Sequence, residues 1–414
     1  MEKIDIQRAD NQLVMPEKIN WQAATNFLFQ IYTVTQKLGY ESAIIDFSEV
    51  KHAYPNGMVP IISRIDSLRQ QGVSFMFIEP KDLAVKTLFQ HTGWLYYLDP
   101  VNRIPPQNTN TTSLPLMQFS NDIELNDIVS KSVEICLQQL VFAEGVPQSF
   151  EWALNEVAGN VLIHSNAQTG WIQVMTYKEN HTLALVVSDS GIGIPEAMKV
   201  KHACNNDQEA LELALQKGVT SNPEDGQGNG LAGTLAIAQA NEGYFAITSG
   251  RGRVQVSSGK VEPKDFFPPY PGTFVEMQFD TNRQIDLPKA LWGHKPIDYF
   301  EVKFEGEKSD LIFKLREYAS SFGNRITGKR LRNLVNNLIK QNPGHSVEVI
   351  MDDVAIISSS FADELFGKLF VEMGPIDFSR LVKLKGVNPT CKSIIDLSVR
   401  QRLAQTIKDF TPID

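Results

Sequence analysis

The sequence predicts a mixed α/β chain of three successive regions, and three observations carry that prediction. Both ends alternate short apolar runs of strand length with segments whose apolar residues return at helical spacing, the order of a small open β/α sheet. The middle instead places two strand patterns, 170–178 and 182–187, on either side of a short polar turn, the pattern of a hairpin. Two stretches without periodicity separate these regions: the proline-rich, polar run from Pro100 to Pro115, and the connector from Asp280 to Pro296. The division expected is a first region 1–99, a linker 100–118, a central region 119–283 and a last region 284–414.

Length and composition bound what such a chain can be. With 414 residues it is too long for one ordinary core, and two to four domains are expected. Hydrophobic residues at 42% and charged residues at 21% describe a globular protein, and the net charge of -9 argues against nucleic acid or an anionic membrane as the general partner. Three isolated cysteines, Cys136, Cys204 and Cys391, form no CxxC pair, which fits a reducing cytoplasm and neither a disulfide framework nor a zinc site. The start lacks the layout of a signal peptide, and no apolar run reaches membrane-spanning length.

In the first region, strands are predicted near 43–47 and 73–78, with helices at 21–37, 57–71 and 81–91; Pro60 then falls in a first helical turn, where its missing N–H costs nothing. The central region opens with an amphipathic segment from Leu125 to Leu140. The next helix has a core-facing stripe of Leu154, Val157, Ala158 and Val161, with Glu156 and Asn160 four residues apart on its other side. His164, eight residues beyond Glu156, reads as a helix-end residue. Leu183 to Pro195 is a buried-strand pattern running into Asp189 and the glycines Gly191 and Gly193. A polar interval follows, with a helical piece near 209–216. The run Gly226-Gln-Gly-Asn-Gly-Leu-Ala-Gly233 is a turn that opens a helix, and Pro271 to Phe279 is a late strand carrying Thr273.

In order and spacing, Glu156-Val-Ala-Gly-Asn160, Asp189-Ser-Gly-Ile-Gly193 and Gly226 to Gly233 resemble the N, G1 and G2 boxes of the GHKL ATPases, the Bergerat-fold superfamily of gyrase, MutL and histidine kinases. The resemblance covers about residues 125 to 280 and implies an α+β sandwich in the centre, with ATP and Mg²⁺ as cofactors. It assigns Asn160 to the metal, Glu156 to the catalytic base, and Asp189 with Thr273 to adenine. Gly191 and Gly193 let the backbone approach, while Gly226, Gly228 and Gly230 belong to a lid over the phosphates. A neutral amide oxygen suits Mg²⁺ shared with phosphate, and an ionised carboxylate one helical turn away can take a proton from water or a substrate hydroxyl.

The flanks carry a second resemblance. Ile44 to Val50, followed by a loop and a helix, is similar to a STAS domain, the fold of bacterial anti-sigma-factor antagonists, where a serine at the helix entry is phosphorylated by a partner kinase. Here that position reads Tyr54-Pro-Asn-Gly57, without a serine. Val347 to Phe366 resembles the STAS-like C-terminal domain that accompanies some bacterial GHKL proteins, and this loop does hold serines, Ser358, Ser359 and Ser360. Two readings of them stand: Ser359 and Ser360 as phosphoacceptors, or the cluster as the N-cap of the following helix.

The region from Glu156 to His164 more closely resembles the compact serine kinases that act as anti-sigma factors. The function expected is a cytoplasmic bacterial regulator that binds Mg-ATP and acts as a serine kinase through STAS-like domains, with a STAS-domain partner. The alternative is a conformational switch driven by ATP binding or hydrolysis, without protein phosphorylation. The basic run from Arg325 to Lys340 is the only support for a nucleic-acid-associated ATPase, and a solvated helix face explains it as well. Exposed sheet edges at both ends make a homodimer an expectation.

Overall fold

The computed structural model describes residues 5–106, 114–220, 228–257, 260–296, 303–304 and 310–410, with the backbone alone described at 260–268 and 406–410. The chain divides into two compact units: Met1–Ile135, Ser149–Asp280 and Ile285–His294 form the first, and Cys136–Gln148, Thr281–Gln284 and Lys295–Asp414 the second. These units divide the chain differently from the sequence segments 1–99, 119–283 and 284–414, because packing joins what the linkers separate.

The first unit opens with β1 (Gln7–Ala9), β2 (Gln12–Val14), β3 (Lys18–Ile19), helix α1 (Trp21–Tyr32), β4 (Ser42–Asp46), β5 (His52–Ala53), α2 (Pro55–Gln70), β6 (Ser74–Ile78), α3 (Leu83–His91) and α4 (Trp94–Leu98). The sheet runs β1-β2-β4-β6, with its first pair antiparallel and the others parallel. Asn20 caps α1 by accepting from the N–H groups of Gln22 and Ala23. The expected start of α2 at Gly57 is corrected. Pro55, preset for a first helical position, starts the helix two residues earlier, so Pro60 lies inside it, beyond the first turn, and removes the bond to the Asn56 carbonyl.

The central elements follow: β7 (Met117–Phe119), α5 (Asp122–Gln139), α6 (Val146–His164), β8 (Gly170–Tyr177), β9 (Thr182–Asp189), α7 (Gly193–Lys199), α8 (Asp207–Ala214), α9 (Gly230–Asn241), β10 (Tyr244–Ser257), β11 (Lys260–Asp280) and α10 (Leu287–Ala290). The sheet order is β10-β11-β9-β8-β7, antiparallel throughout, and Tyr177 pairs with Thr182 at the expected hairpin.

Strand alternation gives this sheet two different faces. Val187, Asp189, Thr273 and Val275 line a cavity on one side. Their neighbours face the N-terminal region: Trp171, Val186, Tyr270 and Phe274 belong to one apolar core with Phe27, Ile45, Phe47, Met58 and Trp94. Polar contacts also cross the same boundary. Ser63 Oγ of α2 lies 3.0 Å from Ser190 Oγ, and Asn56 donates to Glu276 Oε2 at 2.8 Å. Glu276 is in turn ion-paired at 2.5 Å with Arg253, which is 1% exposed and stacks its guanidinium on the Trp21 ring at 4.4 Å.

In the second unit, β12 (Leu311–Lys314), β13 (Val347–Ile350) and β14 (Val382–Lys385) form a parallel sheet in the order β12-β13-β14. The basic run is the helix Arg325–Gln341, capped by Asn324. It is not merely a solvated face. Asn337 donates to the Leu137 and Leu140 carbonyls at 2.9 and 2.7 Å and accepts from Phe142 N–H at 2.8 Å. One turn before it, Asn333 donates to the Gln138 carbonyl, and one turn after, Gln341 accepts from Gly145 N–H at 3.0 Å. Arg325 and Arg332 are both ion-paired with Glu364, which is 2% exposed. A row of side chains on one helix face thus holds the backbone of residues 137–145, the segment leading into α6.

Candidate functional site

Helix α6 buries Phe150, Ala153, Leu154, Val157, Ala158 and Val161, so its register is fixed by the apolar stripe and the opposite face is turned away from the core. Glu156 and Asn160, one turn apart on that face, line a cavity of about 710 Å³ together with Asp189, Gly193, Gly228, Gly230 and Thr273. The sequence motifs, spread over more than a hundred residues, therefore meet in one place.

Asp189 ends β9 on the cavity side and is 2% exposed. It accepts the Gly191 N–H at 2.8 Å. Burial pushes its carboxyl up to about 7, while hydrogen bonds from the Gly191 and Thr273 backbone N–H groups pull the other way. Desolvation wins because two neutral donors do not replace a full hydration shell. Gly272, at φ +87°, lets β11 pass against this residue: a Cβ there would collide with Asp189 and with the Gly191 N–H. The Thr273 hydroxyl lies 3.2 Å from Ser249 Oγ, which donates to the Gly272 carbonyl at 2.6 Å.

Glu156 is half-buried, and its carboxyl is raised by burial and lowered by His294. It lies against Gly230, the first residue of α9, where any Cβ would collide with the carboxylate. His164 ends α6, as expected, and also lines the cavity. Gly191 does not line the cavity: the space a side chain would need is filled by the Ser165 backbone. Gly226 lies outside the described residues. Ser358 caps the helix that begins at Ser359 by accepting from Phe361 N–H at 3.1 Å, and Ser360 Oγ contacts Ser358 Oγ at 3.0 Å. Ser359 is exposed.

Several lining residues were not singled out in the sequence: Trp152, Lys217, Asn229, Trp292 and His294. Asn229 stood within the glycine run, and its buried Oδ1 has no partner among the described residues. Trp292 and His294 belong to the connector after β11, where neither periodicity nor motif marks them.

Among the described residues no three His, Cys, Asp or Glu side chains gather as a metal cage. The polar groups of the cavity are of the kind a cation shared with phosphate can use. Asn160, the orphaned Asn229 oxygen and the start of α9 are suited to that arrangement, and Asp189 supplies an acceptor at a separate place in the same cavity.

Residues 327–392 match the family model of a STAS-like domain of unknown function, DUF4325. The chain thus carries a STAS-like domain near its C-terminus. Among solved structures, the ATPase region of Saccharomyces cerevisiae topoisomerase II is similar at 14% identity and a TM-score of 0.22, over 37% of this chain and 42% of that one. The chain spans less than half of that structure, and the likeness is too slight to build on. No protein of curated function matches the chain. No helix among the described residues is long and apolar enough to cross a membrane.

Proposed function

We propose that the cavity of the first unit binds Mg-ATP and that the protein is a regulator whose output passes through STAS-like regions. The observation that carries this reading is the convergence of Glu156, Asn160, Asp189, Gly228, Gly230 and Thr273 on one cavity large enough for a nucleotide. Asp189 accepts the exocyclic amine of adenine, a group guanine does not present there, and Thr273 assists it. The first N–H groups of α9, a helix of 12 residues, have no intrahelical acceptors and serve the phosphates. Asn160 holds Mg²⁺, which when bound supplies neutralisation of phosphate charge.

Glu156 is the base. It takes the proton from a hydroxyl oxygen as that oxygen bonds to the γ-phosphorus and the bond to ADP breaks. Raising a carboxyl by burial strengthens it as a base near neutral pH. The hydroxyl is that of a serine, on a STAS-domain partner or on this chain's own C-terminal region, in the manner of partner-switching kinases of the bacterial cytoplasm. Of the three serines, Ser358 is committed to its cap and Ser360 contacts it, leaving Ser359 the best-placed acceptor.

A second reading, ATP-driven switching without protein phosphorylation, is favoured by the path of α6. Residues 146–148 of this helix belong to the second unit, while Glu156 and Asn160 belong to the first. Incubation with γ-labelled Mg-ATP separates the two. Label on protein that vanishes in Glu156→Gln and in Ser359→Ala/Ser360→Ala supports the kinase. Free phosphate alone, lost in Glu156→Gln, supports the switch, and neither product in the wild type contradicts both.

A further inference from the structure

We propose that His294 is a specificity-determining residue of the same site, one that reads the terminal phosphate and so separates ATP from ADP; this rests on the ATP reading above. Residues 285–294 follow the last strand of the central sheet and still pack within the first unit. Asp286 caps the short helix α10, and the chain then closes in a tight turn: Trp292 N–H to Lys289 O at 3.2 Å, Gly293 N–H to Pro288 O at 2.7 Å and His294 N–H to Leu291 O at 3.1 Å. Trp292 is held at φ +55° and Gly293 at φ +93°. A bulky aromatic residue in the left-handed region is strained, and such strain persists only where the surroundings impose it.

What the turn achieves is placement. The Leu291 side chain, with Trp152, fills the space beside Gly233 in the first turn of α9, where a Cβ would meet Leu291 Cδ2 at 2.8 Å. The turn therefore lies at the α9 end of the cavity, beside the N–H groups assigned to phosphate. Trp292 and His294 both line the cavity there, as does Lys217, whose Nζ sits 4.6 Å from the centre of the Trp292 ring. His294 acts electrostatically on Glu156, the residue assigned to the γ-phosphate. An imidazole on the same cavity wall as Glu156 can meet the part of a triphosphate that a diphosphate lacks, whereas the α9 N–H groups serve both nucleotides.

The test is equilibrium binding of Mg-ADP and of the non-hydrolysable imido analogue of Mg-ATP to the full chain. It compares wild type, His294→Gln and His294→Lys, with tryptophan fluorescence as one readout because Trp152 and Trp292 line the cavity. His294→Gln is expected to weaken the analogue by about tenfold or more and ADP by less than about threefold, and His294→Lys to restore the preference through its charge. Equal weakening of both nucleotides, or of neither, overturns the assignment of His294 while leaving the ATP site intact. A wild type that binds neither nucleotide overturns the ATP reading itself and this inference with it.

Discussion

Asp189 shows how a single residue can set both recognition and cost. Its carboxyl is nearly inaccessible, and burial pushes it up to about 7, above the usual value of 3.8. The folded protein therefore holds this proton over a range in which the unfolded chain has lost it. The charged form's penalty is absent below the unfolded value, grows as pH rises and is complete above about 7. Asp189→Asn should consequently stabilise the protein at pH 8, by up to about 4 kcal/mol, and leave stability at pH 4 nearly unchanged; urea melts at the two values check this. An ionised acceptor also suits the adenine amine better, so nucleotide affinity should fall as pH drops through about 7, as titration calorimetry across that range would show. Residues of this kind are legible in a sequence because they sit in short motifs with fixed neighbours. Trp292 and His294 are not, because their position depends on a turn with two successive positive φ values that no local pattern announces.

At the scale of elements, α6 was readable and the Arg325–Gln341 helix was only half so. The apolar stripe of α6 fixes which residues face the cavity, and its bounds agree with the spacing of Leu154, Val157, Ala158 and Val161. In the basic helix the charge run is the only local signal, and it points to a solvent or nucleic-acid face. The structure instead uses Asn333, Asn337 and Gln341, at intervals of four, to hold a neighbouring backbone. Amides on a helix carry no signature of their partner, which lies nearly two hundred residues earlier. Asn337→Ala removes three hydrogen bonds to buried backbone groups and should cost about 2–4 kcal/mol, measured by denaturant unfolding, whereas Lys329→Ala on the exposed side should change stability by less than about 0.5 kcal/mol.

At the scale of the whole molecule, the N-terminal region shares one apolar core with the sheet it precedes. The linker after residue 99 is legible in the sequence and the packing partners are not: Val186 and Val187 look alike in the chain, yet one meets the N-terminal core and the other the cavity. Removing residues 1–113 should expose Trp171, Val186, Tyr270 and Phe274 together and take from the Arg253–Glu276 pair its contacts with Trp21 and Asn56. The truncated chain is expected to bind a hydrophobic dye and to aggregate, which light scattering would register. Arg253→Ala in the full chain should destabilise by about 3–5 kcal/mol, because it leaves Glu276 charged and buried.

The most direct measurement is titration calorimetry of the full chain with Mg-ATP and Mg-GTP, for wild type and Asp189→Ala at pH 8. The expected result is saturable binding of ATP and none of GTP by the wild type, with ATP binding lost in Asp189→Ala while the variant still unfolds cooperatively. Equal binding of both nucleotides, or ATP binding untouched by the substitution, would contradict an adenine site built on Asp189.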